Sequence, residues 1–249
     1  MRINTDASWD LDRVDILLNP APLRLEMGIS RTADNRLVVA ARTDMPGCSG
    51  KMLEWWFTYF HTTEHLKWWH PADHKAHYGW DDAWVEGKNF IGATVHAEEA
   101  LAAVSPVSAK IKFHHPEDFF TAEKIQEARS KGWLSGAVCG CIGFGTDIML
   151  DESGDPLGGR MVHLVRDTSW GCVLRSRFIL GENMAGKGES VEDEIGFGLL
   201  QHCHCEFTSL SKILPSLYYA EIRVKTYNLR SGGERLYLLS ATAFSGVYP

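Results

Sequence analysis

The stretch GFGLLQHCHCEFTSLSKIL, residues 196–214, decides the fold. Leu199, Cys203, Phe207, Leu210 and Leu214 recur every three or four residues and form the apolar stripe of one long helix, which Pro215 closes. His202 and Glu206 stand one turn apart beside that stripe, so they project the same way. Upstream, the periodicity is of another kind. Residues 37–43, 90–99, 109–114, 136–144, 160–166 and 172–180 are short runs rich in β-branched and small apolar residues, divided by turn formers such as Gly154-Asp155-Pro156. Many strands in series followed by one long helix argue for an α+β fold, with the helix on the concave face of an antiparallel sheet.

Before the strands, residues 1–36 read as an N-terminal arm with the turn signal Asn19-Pro20-Ala21-Pro22. A second helix is expected after Ser49, a candidate N-cap, with Leu53, Trp56, Phe57 and Phe60 on one face and His61 at its end. Residues 66–84 match neither period and read as a packed loop around Pro71. Residues 182–193 (ENMAGKGESVED) are polar and charged and mark an exposed loop. The expectation is a single domain over 1–249, with the arm at 1–36, a core at 37–218 and a C-terminal extension at 219–249 packed on it.

Composition excludes several function classes. A net charge of −7 gives no basic footprint for nucleic acid. No run approaches the length of a membrane span, and residues 1–13 lack the pattern of a leader, so a cytoplasmic protein without membrane contact is expected. Six cysteines in such a chain fit reduced core residues better than a disulfide framework. Of nine tryptophans and eleven histidines, six and five respectively fall between Trp55 and Trp84. That aromatic excess would also suit a homodimer.

His202 and Glu206 are the most specific chemical signal, because two ligands on one rigid helix make half a metal site. A histidine simply hydrogen-bonded to a glutamate is the plainer alternative, but an unpaired carboxylate among Leu199, Leu200, Cys203 and Phe207 would be costly to bury. Cys203 and Cys205 point about 200° apart on a helix and do not chelate one ion readily. Cys139-Gly-Cys141 reads as strand core, and GCIGFG (140–145) lacks the Lys-Ser/Thr of a phosphate loop. Among the other histidines, His70 is favoured as a ligand because Trp69 and Pro71 restrict its backbone, with His74 and His61 in reserve. Only one of Glu98 and Glu99 can face inward on a strand; Glu99 shares a face with Val95 and is preferred. His163 sits on one strand face with Met161 and Val165 and is a candidate general acid or base.

The aromatic helix Glu54-Trp55-Trp56-Phe57, the run Trp69-His70-Pro71-Ala72-Asp73-His74, the strand Met161-Val162-His163 and His202-Cys203-His204-Cys205-Glu206-Phe207 together resemble the 2,4-diacetylphloroglucinol hydrolase family, which includes phloretin hydrolase. The resemblance spans roughly residues 37–218. It implies a Bet v 1-like helix-grip fold and one zinc per chain held by two histidines and two glutamates, here His70, His202, Glu206 and either Glu99 or Glu98. It implies His163 as the residue that handles a phenolic proton; chemically, a ligand carboxylate such as Glu99 could double as base. Trp56, Trp69, Asp73 and Phe178 would line the pocket, Asp73 standing where the family uses an asparagine. The implied reaction is hydrolysis of the bond between a polyhydroxylated aromatic ring and an acyl group of a small aromatic ketone. The rivals are a metal-dependent lyase or decarboxylase on a related phenolic compound, and a helix-grip carrier or cyclase without metal.

Overall fold

A computed structural model describes residues 14–184 and 187–230, with side chains as far as residue 222. In chain order it contains β1 (Gly28–Arg31), β2 (Leu37–Pro46), α1 (Gly50–Tyr59), α2 (Thr63–Trp69), β3 (His74–Trp80), β4 (Thr94–Leu101), β5 (Val104–His114), α3 (Ala122–Ser130), β6 (Gly136–Phe144), β7 (Gly159–Thr168), β8 (Gly171–Leu180), α4 (Asp193–Ser211) and α5 (Leu214–Arg230). The strands form one antiparallel sheet in the order β1-β2-β8-β7-β6-β5-β4-β3. The sheet curves around α4, the helix-grip arrangement that the long helix and serial strands led one to expect. Among the described residues no helix is long and apolar enough to cross a membrane.

Each face of the sheet has its own core. Leu37, Val39 and Ala41 of β2 pack inward with Phe113, Leu174, Leu199, Cys203 and Phe207. Val38 of the same strand packs outward with Val14, Leu18, Ile125, Leu164 and Ile179. Burial on both faces explains why residues 37–41 read as an unbroken apolar run rather than an alternation. The outward core is closed by α3 and by the 3-10 turn Val14–Leu18, and β1 adds an edge strand to the sheet. Residues 1–13 of the expected arm and 231–249 of the expected extension lie outside the described residues.

The packed loop expected over residues 66–84 is instead the end of one helix, a turn and a strand. The Thr62 hydroxyl accepts from His65 N–H and starts α2. After the turn at Pro71, β3 pairs with β4 through two register shifts, and these bulges erase the alternation that would have marked a strand. Helix α1 begins after Ser49, but the Ser49 side chain caps nothing; Asp167 of β7 accepts the Gly50 N–H at 2.8 Å. The helix ends at Tyr59, before His61. Pro215 sits in the first turn of α5, where its missing N–H costs nothing, so the proline that stops α4 also starts the next helix.

Candidate metal centre

Where α4 crosses the sheet is fixed by contact with the end of β4. A Cβ on Gly198 would lie 2.6 Å from the Leu101 carbonyl oxygen, so only glycine permits this approach. One turn further along α4, His202 arrives beside Glu99 of β4, and a second turn brings Glu206. Opposite Glu99 in the β3–β4 register stands His74.

These four side chains converge. His74 Nε2 lies 3.8 Å from Glu99 Oε1 and 3.6 Å from Glu206 Oε2. His202 Nε2 lies 3.9 Å from Glu99 Oε2 and 3.8 Å from Glu206 Oε2. The other ring nitrogen of each histidine is already engaged. His74 Nδ1 donates to the Leu66 carbonyl at 2.8 Å, and His202 Nδ1 donates to Asp73 Oδ2 at 3.1 Å. Donation from Nδ1 turns both Nε2 atoms toward the two carboxylates, the ring orientation a metal ligand needs.

The electrostatics of the set are those of a cation site. Burial pushes the Glu206 carboxyl up to about 8, against the pull of His202 and with the help of Glu99. Burial raises Glu99 as well. Burial alone would lower His202, but its hydrogen bond to Asp73 and the charges of Glu206 and Glu99 lift it to about 9. Burial and the neighbouring His202 hold His74 well below its ordinary value. Two buried carboxylates facing two imidazole lone pairs repel one another unless a proton or a metal ion lies between them. Two nitrogen and two oxygen donors suit zinc.

The remaining expected residues fall as follows. His70 does not point at this cluster: its Nδ1 accepts the Asp73 N–H, its Nε2 faces Asp73 Oδ2 at 3.4 Å, and its ring stacks on the back of His202. His74, His202 and Glu206 bring ligand atoms close enough to share one ion, and so do His70, Asp73 and His202, a second candidate group that also contains His202. His61 is exposed, its Nδ1 on the Tyr59 carbonyl. Glu98 accepts from the Tyr78 hydroxyl, away from the cluster.

Above the four donors lies a mainly apolar cavity lined by Phe57, Trp69, Val95, Phe113, Met161 and Phe178, with Glu99, His163, His202 and Glu206 as its polar groups. Of the side chains expected in the pocket, Trp69 and Phe178 line it. Trp56 is fully buried behind Trp69 and Phe60, and Asp73 lies behind His202. His163 Nδ1 is 2.8 Å from Ser176 Oγ, and its ring is wedged against Phe178 and Phe207. Burial holds it neutral, down to about 3. Ser176, the direct cross-strand partner of His163, went unnoticed in the sequence; its position on β8 opposite His163 was the signal.

The chain is similar to several known proteins. The family profile described as the DAPG hydrolase PhiG domain matches residues 9–219. The chain is 27% identical to phloretin hydrolase of Eubacterium ramulus, over 78% of this chain and 72% of that protein. It is 24% identical to the 2,4-diacetylphloroglucinol hydrolase of a Pseudomonas species, over 88% of this chain and 79% of that protein. Among solved structures, Ara h 8.0201 superposes with a TM-score of 0.41 at 10% identity, covering 72% of this chain and 97% of its own.

Proposed function

Because the chain belongs to the 2,4-diacetylphloroglucinol hydrolase family, we propose that it is a zinc-dependent hydrolase that cuts the carbon–carbon bond between a polyhydroxylated aromatic ring and an acyl group. The observation that carries this reading is the facing of the His74 and His202 Nε2 atoms and the Glu99 and Glu206 carboxylates beneath an apolar cavity that also holds His163. His74 takes the place first given to His70 in this ligand set.

In this reading the flat ring of the substrate lies between Phe57, Trp69, Phe113 and Phe178 by apolar and edge contacts. Zinc would polarise the acyl carbonyl and lower the pKa of a water to about 7. Glu99, the less buried of the two carboxylates, would take the proton of the attacking water. The ring carbon must leave as a carbanion, which becomes accessible when a ring hydroxyl passes to its keto form and the carbon is protonated. His163, neutral and held through Nδ1 by Ser176, would accept the phenolic proton at Nε2 and return it to that carbon. Water supplies OH to the acyl carbon and H to the ring, so the products are the deacylated phenol and a carboxylic acid. The six free cysteines agree with a reducing compartment, and the same reading puts the enzyme in the cytoplasm.

Metal content of the purified protein, followed by product analysis in ¹⁸O-labelled water with acylphloroglucinols and dihydrochalcones, tests the proposal. About one zinc per chain and label in the released acid are expected. A folded protein that carries no metal and refuses added zinc would leave a carrier or cyclase as the better account. Release of carbon dioxide instead of a labelled acyl acid would indicate a decarboxylase.

A further inference from the structure

Asp73 lies behind the metal centre, where three parts of the fold meet. It follows α2 and the Pro71 turn, and its carboxylate is buried against α4 and the β4–β5 hairpin. Oδ2 receives the His202 Nδ1–H at 3.1 Å and the Ala102 N–H at 3.1 Å. His70 Nε2 faces the same oxygen at 3.4 Å. Ala102 holds a left-handed backbone, φ 55°, a conformation an alanine adopts only under constraint. The Asp73 carbonyl meanwhile accepts the Ala100 N–H at 2.9 Å. The carboxylate therefore cannot swing toward the cavity without breaking several contacts, and it does not line the cavity.

We propose that Asp73 is a positioning residue whose carboxylate fixes the tautomer and ring orientation of His202, with His70 buttressing that carboxylate from behind. The role rests on the zinc hydrolase reading and replaces the place in the pocket lining first expected of Asp73. Metal-bound histidines commonly donate their second nitrogen to such a carboxylate, which raises ligand basicity and fixes the tautomer and orientation of the ring. His70 Nε2 has no hydrogen bond of good geometry, although it is buried. With its Nδ1 accepting from the Asp73 backbone, the proton sits on Nε2, 3.4 Å from the carboxylate oxygen and close enough to favour its charge without a hydrogen bond.

The test compares wild type, Asp73→Asn and Asp73→Ala, each prepared metal-free and then titrated with zinc against a chromophoric chelator, with cobalt(II) as a spectroscopic probe. Asp73→Ala is expected to weaken zinc binding by about 10–100-fold. Asp73→Asn, whose amide oxygen can still accept from His202 Nδ1, is expected to lose less and to fold with a smaller drop in metal-free thermal midpoint than Asp73→Ala. The visible cobalt bands should shift in both variants, which a loss of packing alone would not produce. Should Asp73→Ala fail to fold, Asp73→Asn decides by its affinity and its cobalt spectrum. Unchanged affinity and unchanged bands in a zinc-binding wild type overturn the role of Asp73 and leave the zinc reading intact. A wild type that takes up no zinc overturns both. Two ions per chain, one of them lost in His70→Ala, would make Asp73 a ligand and overturn the positioning role.

Discussion

His74 and Glu99 face each other directly across β3 and β4, with Nε2 3.8 Å from Oε1, while His70, only four residues away, turns its ring to the far side of His202. The backbone, rather than residue type, separates their roles: His70 is the C-cap of α2 and His74 the first residue of β3. His74→Ala is therefore expected to abolish stoichiometric zinc, whereas His70→Ala retains the ion with weaker affinity. Metal content and chelator competition on the two variants check this; the reverse pattern would make His70 the ligand.

Zinc uptake should tighten as pH rises. Below about 8 Glu206 holds a proton in the metal-free protein, and below about 9 His202 does, so the ion must displace both. Zinc titrations at pH 6 and pH 9 in a weakly buffered solution should show protons released on binding and a lower dissociation constant at the higher pH.

The same two groups set a stability trend in the metal-free protein. Their folded pKa values lie above the ordinary carboxyl and imidazole values, so their contribution is present at lower pH and is lost as pH rises toward 8 and 9. The buried histidines His74 and His163 are depressed, and their contribution is lost only below the ordinary imidazole range. Thermal midpoints of the metal-free protein should fall between pH 6.5 and 9, and saturating zinc should flatten that fall. A rising midpoint over that window would contradict the coupling.

Removing the proposed proton carrier should leave metal binding untouched. His163→Ala is expected to lower turnover by about 10²–10⁴-fold, with zinc content unchanged. Ser176→Ala, which frees His163 Nδ1, should give a smaller loss, measured as kcat with an acylphloroglucinol. Full activity in His163→Ala would remove His163 from the reaction.

Gly198 tests how the site is mounted. The Cβ introduced by Gly198→Ala meets the Leu101 backbone, which cannot rotate away as a flexible side chain would, so α4 must shift. Both zinc affinity and thermal midpoint should drop together, whereas an alanine placed at exposed Gln201 should change neither.

Much of this was legible in the chain itself. The stripe from Leu199 to Leu210 located α4, and residues 136–144 stood out as a strand with the bounds it has in the structure. Alternation along β4 pointed to Glu99 over Glu98 as the inward side chain, because a strand shows only every second side chain to one face, and Glu99 lines the cavity with Val95 and Ala97. What stayed hidden is three-dimensional in origin. Helix α2 is seven residues long, too short for periodicity to declare it, and the bulges of β3 concealed the strand that presents His74. Helix α3 buries little more than Ile125 and Ala128 and so carries a faint apolar signal. Trp56 looked like a pocket wall because large aromatics cluster around it, yet on α1 the cavity-facing position belongs to its neighbour Phe57.

Asp73 and His202 lie 129 positions apart in the chain, and everything from β3 to β8 lies between them. An ion held by His74, Glu99, His202 and Glu206 would therefore close a long loop in the way a disulfide does, restricting the unfolded ensemble as well as tethering the native one. Unlike a disulfide, such a clasp opens whenever the ion leaves. Resistance to proteolysis would then report zinc supply directly, and chains made in zinc-starved cells would be the first to be degraded.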